Sequence, residues 1–458
     1  MKSALLGAAL SLSPSPATIA PVQTAPSLSP SAAPSLPLLA PSALNPTLAV
    51  PAAPERPRTL LPTEIPALPG FPGLALPQAA KPLPSGERQS AEAAARFDGA
   101  RAGDPGEGWT SGTFEGDGGA AIAYKSRRGA GSAPARVYAG GLALNESFEP
   151  LFARPAAPAG NELFVWTRGH RPSEWLHSKS PIDADARDLA RAVSLAAESS
   201  PGGKVELALH SFGTLVFQRM IQLHEEPAVA AALKALAGSR VFMLHATTHY
   251  EGSERKAGPD FERMSQATRA VVDWLDAGDA TADLWRRTAE FNPFLAPMVA
   301  AWLQQWDFQR GQVISMAARD AAKMMKADLS EPWDKAVDHI RKAFLKDLAA
   351  DARDPAWQES MLRRSSDMFR LEFSPEDAAR IKTLGIRLEL VHADGDKLLN
   401  WESAKALFER LGIPCPAKAP PVGAVLRDAS GRFRARLVSG DHYWPLKRRD
   451  ELAALLKP

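Results

Sequence analysis

Val205-Glu206-Leu207-Ala208-Leu209-His210-Ser211-Phe212-Gly213-Thr214-Leu215 is the stretch that decides the fold. An apolar strand-like run passes almost without a loop into a segment of helical character, and a serine stands at the junction. A turn that tight lifts the serine above the edge of a sheet and strains its backbone, so small neighbours are required. Gly213 meets that need two residues after Ser211; Leu209 stands two residues before it. The helix that follows opens with free N–H groups and the positive end of its dipole, both suited to a developing oxyanion.

Outward from this point, strand-like and helix-like patterns alternate, which predicts an α/β architecture. Upstream, Trp109–Thr113 reads as a first strand. Phe114 and Ala120–Tyr124 flank an Asp117-Gly118-Gly119 turn, a hairpin signal. Strands are expected at Arg136–Ala139 and Glu162–Thr167, and a helix over Ala184–Ala197 with Asp183 as its cap. The serine stretch itself reads as strand Val205–Leu209 and helix Thr214–Leu223. Downstream, strands are expected at Ser239–Leu244, Ile386–Val391 and Arg434–Val438, with helices Trp401–Leu411 and Lys447–Leu456. Between Asp260 and about Arg380 no strand pattern occurs. That segment is rich in helix formers and holds six of the eleven tryptophans, Trp274, Trp285, Trp302, Trp306, Trp333 and Trp357. It reads as an inserted helical cap whose tryptophans pack helices and line an apolar pocket.

The first 90 residues differ in kind. They carry nearly half of the 40 prolines, mixed with Ala, Ser and Leu. Proline removes helix hydrogen bonds and fixes φ, so a disordered leader is expected. Its start resembles a signal peptide, with Lys2, an apolar Ala4–Leu12 run and a small-residue exit at Ala17-Thr18-Ile19-Ala20, which predicts export; cytoplasmic residence is the alternative. The domain reading is therefore a leader over 1–90, a core over 108–250 and 381–458, and a cap over 251–380.

Composition narrows the function. The 458 residues carry 54 Lys+Arg against 52 Asp+Glu, a net charge of +2, which argues against a nucleic-acid partner. No run of about 18 apolar residues occurs, so no membrane-spanning helix is expected. The one cysteine, Cys415, excludes an intramolecular disulfide and a multi-cysteine metal site. His245 and His249 have i,i+4 spacing, but no Glu or third ligand accompanies them. No metal site is expected there, and His249 reads instead as a pocket-lining residue where the cap begins. No organic cofactor is implied.

Five landmarks in order resemble the α/β-hydrolase superfamily, in particular its cap-bearing esterase and lysophospholipase-like members. The family's Gly-x-Ser-x-Gly is similar to Leu209-His210-Ser211-Phe212-Gly213. Its His-Gly strand end resembles Tyr138-Ala139-Gly140-Gly141-Leu142, and its Arg-Gly-His-Gly resembles Arg168-Gly169-His170-Arg171. The acid-bearing turn resembles Leu388 to Lys397, and the final Gly-His motif resembles Gly440-Asp441-His442-Tyr443. The resemblance implies a mostly parallel sheet flanked by helices. It implies Ser211 as nucleophile, His442 as its base and Asp396 orienting the base, with Asp394 competing for that last role. It further implies an oxyanion hole of the Phe212 and Leu142 backbone N–H groups, with Gly140 and Gly141 letting substrate and backbone approach. His170 would brace loops near the site. The chemistry expected is cleavage of a carboxylic ester, on a small molecule with an apolar, lipid-like acyl group. The alternatives are thioesterase, amidase or acyltransferase chemistry on the same residues, and a non-catalytic binding protein of the same fold.

Overall fold

The computed structural model describes residues 109–457, except 130, 143–159, 171–172, 176–177, 179, 248–258, 329–334 and 397–398. The proline-rich leader and His249 lie outside the described residues.

Nine strands form one sheet: β1 (Trp109–Glu115), β2 (Ala121–Arg127), β3 (Ala135–Ala139), β4 (Glu162–Val165), β5 (Val205–His210), β6 (Arg240–Leu244), β7 (Arg387–Ala393), β8 (Val425–Arg427) and β9 (Phe433–Val438). Their spatial order is β1-β2-β4-β3-β5-β6-β7-β9-β8. From β4 to β9 every neighbour is parallel; β2 enters antiparallel to β4, and the short β8 closes the far edge antiparallel to β9. A mostly parallel sheet of this order, reversed at its second strand, is the α/β-hydrolase arrangement expected from the sequence.

β5 sits at the centre with all six residues buried, as a strand covered on both faces must be. Its side chains alternate between two apolar layers. Val205, Leu207 and Leu209 join Val241, Met243, Leu388 and Leu390 on one face. Ala208 joins Tyr138, Phe242, Leu244 and Val391 on the other. The first layer is covered by α1 (Pro181–Glu198), α2 (Phe212–Gln222) and α3 (Pro227–Leu236).

Four further helices follow β6: α4 (Pro259–Phe291), α5 (Ala296–Asp328), α6 (Lys335–Asp351) and α7 (Pro355–Arg370). They have a small core of their own, Val272, Leu275, Ala282, Trp306, Ile314 and Leu362. Arg363 binds it together, donating to Glu359 at 2.8 Å and to Asp276 at 2.7 Å. Trp357 turns the other way and packs with Phe344 and Leu348 against the sheet. Trp274 is exposed, and Trp333 lies outside the described residues. α7 is pinned to the main body by a buried pair, with Arg364 gripping Asp185 of α1 through two bonds of 2.7 Å. The chain then returns through α8 (Pro375–Thr383), whose Ala378 and Ile381 already belong to the main core. It finishes with α9 (Trp401–Arg410), α10 (Trp444–Lys447) and α11 (Arg449–Leu455).

Several local expectations are corrected. Asp183 does not cap α1. The helix opens at Pro181, where a missing N–H costs nothing, and Asp183 instead accepts Arg219 of α2 at 2.6 Å. α2 begins at Phe212, two residues earlier than the apolar periodicity indicates. The C-terminal helix is two pieces, broken at Arg448 (φ −118°, ψ 60°). α3 and β8 were not anticipated.

Candidate active site

Ser211 leaves β5 and opens α2 with φ 51° and ψ −117°. A non-glycine residue held there costs about 1–3 kcal/mol, which the surroundings must supply. Its amide donates to Leu244 O, at the end of β6, at 2.9 Å, and its carbonyl accepts Thr214 N–H at 2.9 Å and the Thr214 hydroxyl at 2.7 Å. A serine at a helix start normally spends its hydroxyl on the helix N–H groups. Ser211 makes no such bond. Its Oγ lies 2.9 Å from His442 Nε2 instead.

The glycine pattern has a structural reading at each position. A Cβ on Gly213 would stand 2.9 Å from the carbonyl oxygens of Ala139 and Gly140, so the loop after β3 can pass only over a glycine. Position 209 is different. Leu209 pairs with Ala139 and Met243 inside the sheet, and its fully buried side chain fills the helix-covered layer. A leucine there is core, and the tight turn begins only after it.

His442 Nδ1 lies 2.9 Å from Asp396 Oδ2. Asp396 and His442 are both buried. Asp396 Oδ1 accepts the Leu399 N–H at 2.8 Å, which fixes the carboxylate plane. Asp394 is exposed and does a different job, accepting Gly440 N–H at 3.1 Å and so holding the loop that carries His442. The structure thus brings Ser211, His442 and Asp396 into one hydrogen-bonded line and leaves Asp394 outside it.

A fourth side chain joins this line. His245, one residue past β6, lies with Nδ1 2.8 Å from the same Asp396 Oδ2 that faces His442. It is fully buried and has φ 54°. Burial lowers its pKa against the opposing pull of Asp396, so the ring is neutral and its Nδ1–H donates to the carboxylate. Burial would by itself raise the carboxyl of Asp396. The facing His442, with the hydrogen bonds from His245 and His442, overcomes this and holds it well below the usual carboxylate range. His210, also kept neutral chiefly by burial, puts Nε2 3.0 Å from the backbone carbonyl of His442 and braces it from behind. Its ring does not serve Ser211.

His245, Asp396 and His442 are the one group among the described residues with metal-ligand proximity. Their N···O separations of 2.8 and 2.9 Å are hydrogen-bond lengths. They are shorter than the edge of a tetrahedral zinc shell, roughly 3.3 Å for bonds of about 2.0–2.1 Å. His245 stands in a turn directly after β6, and His249 lies outside the described residues.

The loop after β3 covers Ser211 closely. A Cβ on Gly141 would lie 3.0 Å from Ser211 Cβ, 3.1 Å from His210 Nδ1 and 3.5 Å from Ser211 Oγ. Gly141 therefore stands beside the serine, with Gly140 and Leu142 its neighbours in the chain. Phe212, as the first residue of α2, has an N–H without an intrahelical partner. His170 is buried near Arg364 and is kept neutral chiefly by burial. Cys415 is far from this chemistry in character. It is half-buried, and burial pushes its thiol up to about 12.

No protein-family model matches the chain, and no curated protein matches it. Solved structures do. A thioesterase domain from the curacin biosynthetic pathway is 13% identical with a TM-score of 0.40, over 76% of this chain and 99% of that one. A thermophilic esterase from Thermogutta terrifontis is 12% identical with a TM-score of 0.44, over 76% and 96%. A membrane phospholipase A is 13% identical with a TM-score of 0.42, over 80% and 90%. Identities this low concern the fold alone. By its own strand order and by the strand-turn-helix at Ser211, the chain has the α/β-hydrolase fold.

Proposed function

We propose that this protein is a serine hydrolase that cleaves a carboxylic ester through an acyl-enzyme, on a small molecule with an apolar, lipid-like acyl group. The observation that carries the reading is the placement of Ser211 Oγ. The hydroxyl ignores the helix it opens and points 2.9 Å from an imidazole whose other nitrogen lies 2.9 Å from a buried carboxylate.

The chemistry follows from those distances. His442 Nε2 takes the Ser211 proton as Oγ attacks the acyl carbonyl. The imidazolium so formed donates Nδ1–H to Asp396, which stays ionised with His245, Leu399 N–H and His442 on its oxygens. The carbonyl oxygen becomes an oxyanion beside the Phe212 and Leu142 N–H groups, each worth roughly 3–4 kcal/mol of barrier in such a role. Collapse breaks the ester C–O bond, and His442 returns the proton to the leaving alcohol. Water, deprotonated by the same imidazole, then releases the acid. Gly140, Gly141 and His249 are assigned to the substrate's approach.

A fluorophosphonate probe tests the nucleophile, and a panel of ester, thioester and amide substrates of varied acyl length tests the bond cleaved. Covalent labelling that disappears in Ser211→Ala, with turnover of medium or long acyl esters, is the expected outcome. Absence of labelling in folded, monodisperse protein would leave a binding protein of the same fold.

A further inference from the structure

The hairpin of α4 and α5 ends in an apolar tip that the fold leaves uncovered. Phe291 is 88% exposed, Phe294 96% and Met298 55%. The turn that presents them is built, since Asn292 accepts the Phe294 N–H at 3.2 Å and Pro293 opens the single 3-10 turn. From Phe291 to Trp306 no ionisable side chain occurs.

The side chains behind the tip are layered. Trp285 lies six residues before Phe291 and Trp302 six residues after Ala296, both half-buried. At 1.5 Å per residue each stands about 9 Å from its end of the hairpin, so two indoles occupy one level on two helices. Exposed Arg286 and Arg287 lie close to that level. Arg286 is paired with Asp283 at 2.6 Å, and Glu290 lies nearer the tip. Over Asp283 to Asp307 two arginines stand with three carboxylates, so the apolar tip, not net charge, sets the character of this end. The order from the end inward is thus phenylalanine and methionine, then tryptophan, with arginine beside it. That is the order of a water–lipid boundary read from the acyl side, where apolar groups sink about 5–10 Å and indoles sit among headgroups.

We infer that this tip docks into a lipid surface and holds the protein on it without crossing. No helix among the described residues is long and apolar enough to span a membrane. The size of the tip speaks for lipid over a second copy of the chain. Three protruding side chains offer on the order of 400 Å², short of the roughly 800 Å² per partner of a stable protein interface. The anchoring stands on the hairpin alone. Its use, delivering a lipid ester to Ser211, rests on the proposed hydrolase reading.

The test is co-sedimentation of the full chain with sucrose-loaded phosphatidylcholine vesicles, with and without phosphatidylglycerol. It is run on Ser211→Ala protein so that hydrolysis does not alter the vesicles. The protein is expected to pellet with vesicles of either composition, because the apolar tip supplies the binding. The pair Phe291→Ser, Phe294→Ser should lower partitioning at least roughly tenfold. The pair Phe291→Leu, Phe294→Leu should keep most of it, which separates lost apolarity from lost folding. With Ser211 intact, the serine pair should turn over a soluble short-chain ester at the wild-type rate. Protein that stays in the supernatant, or a serine pair that pellets undiminished, overturns the inference. So does a lipid-free dimer in sedimentation velocity that the serine pair abolishes, because the tip then belongs to a second copy. Vesicle binding without any ester turnover would sink the hydrolase reading and leave the anchor standing.

Discussion

Replacing Leu209 by glycine restores the family's glycine two residues before the serine, and the structure says that this improvement in motif is a loss in fold. Leu209 is fully buried in the helix-covered layer, between Ala139 and Met243 in the sheet. Removing a buried leucine side chain down to Cβ costs about 2.7–5 kcal/mol, depending on how far the cavity collapses. Glycine in place of alanine in a strand costs a further 0.5–1 kcal/mol or so in backbone freedom. The sum is roughly 3–6 kcal/mol, a large part of the ~5–15 kcal/mol that holds a typical domain. The assay is urea unfolding of wild type, Leu209→Ala and Leu209→Gly, with unchanged slope as the sign that only stability has moved. The alanine variant isolates the cavity, and the difference between the two variants isolates the backbone. Fluorophosphonate labelling of the folded fraction should not speed up in either. A glycine variant with the wild-type midpoint and faster labelling would refute the reasoning, for Leu209 would then be a defect in the turn.

His245→Ala removes a hydrogen bond on Asp396 and is expected to lower kcat/KM about tenfold, part of the ~1.5–3 kcal/mol carried by a hydrogen bond to a charged group. His245→Asn, which keeps an N–H donor, should recover some of it; equal loss in both variants would show that His245 merely fills space. Gly141→Ala places a methyl 3.0 Å from Ser211 Cβ, and labelling should slow by roughly tenfold or more at nearly unchanged melting temperature. Wild-type labelling would mean that the loop after β3 has room to move. Asp367 accepts the Ile182 N–H at 3.0 Å, and burial pushes its carboxyl up to about 7. The folded chain therefore keeps a proton that the unfolded chain loses near pH ~3.9, and this group makes stability fall as pH rises from about 4 to 7. Asp367→Asn retains the accepting oxygen and should flatten that slope in urea midpoints; a slope equal to wild type would assign it to other groups.

The centre of this fold is legible because its signals are local and agree. The apolar run before Ser211 is long enough to be a buried strand, and the glycine after it marks a close approach that Ala139 and Gly140 do make. What failed was carried by distant partners or by short elements. α3 begins at Pro227, which suggests a break until the residue is seen at the first helical position. Three-residue β8 is too short for alternation to register. Asp183 has the residue type of a cap, but Arg219, 36 positions away, claims it. The choice between Asp394 and Asp396 could not come from spacing; it is made by the Gly440 amide, which takes Asp394. His245 carries no local sign of its role, because its partner Asp396 lies 151 residues on.

Ser211 and His245 are the two non-glycine residues with positive φ among those described, and they stand at the ends of adjacent strands. One arrangement accounts for both. Past the end of β5, Ser211 N–H donates to Leu244 O of β6; past the end of β6, His245 N–H donates to Val391 O of β7; past the end of β7, Asp394 N–H donates to Val438 O of β9. The parallel ladder thus continues beyond the strands that built it, one bond per strand end. At Ser211 and His245 the residue that makes the extra bond also turns with positive φ, a strained conformation, whereas Asp394 makes its bond without it. In return the serine, the second imidazole and the acid loop are each fastened to a neighbouring strand. Their spacing is then set by the sheet rather than by loops. Rigid mounting of this kind keeps Ser211, His442 and Asp396 within hydrogen-bond reach although the chain separates them by as much as 231 residues.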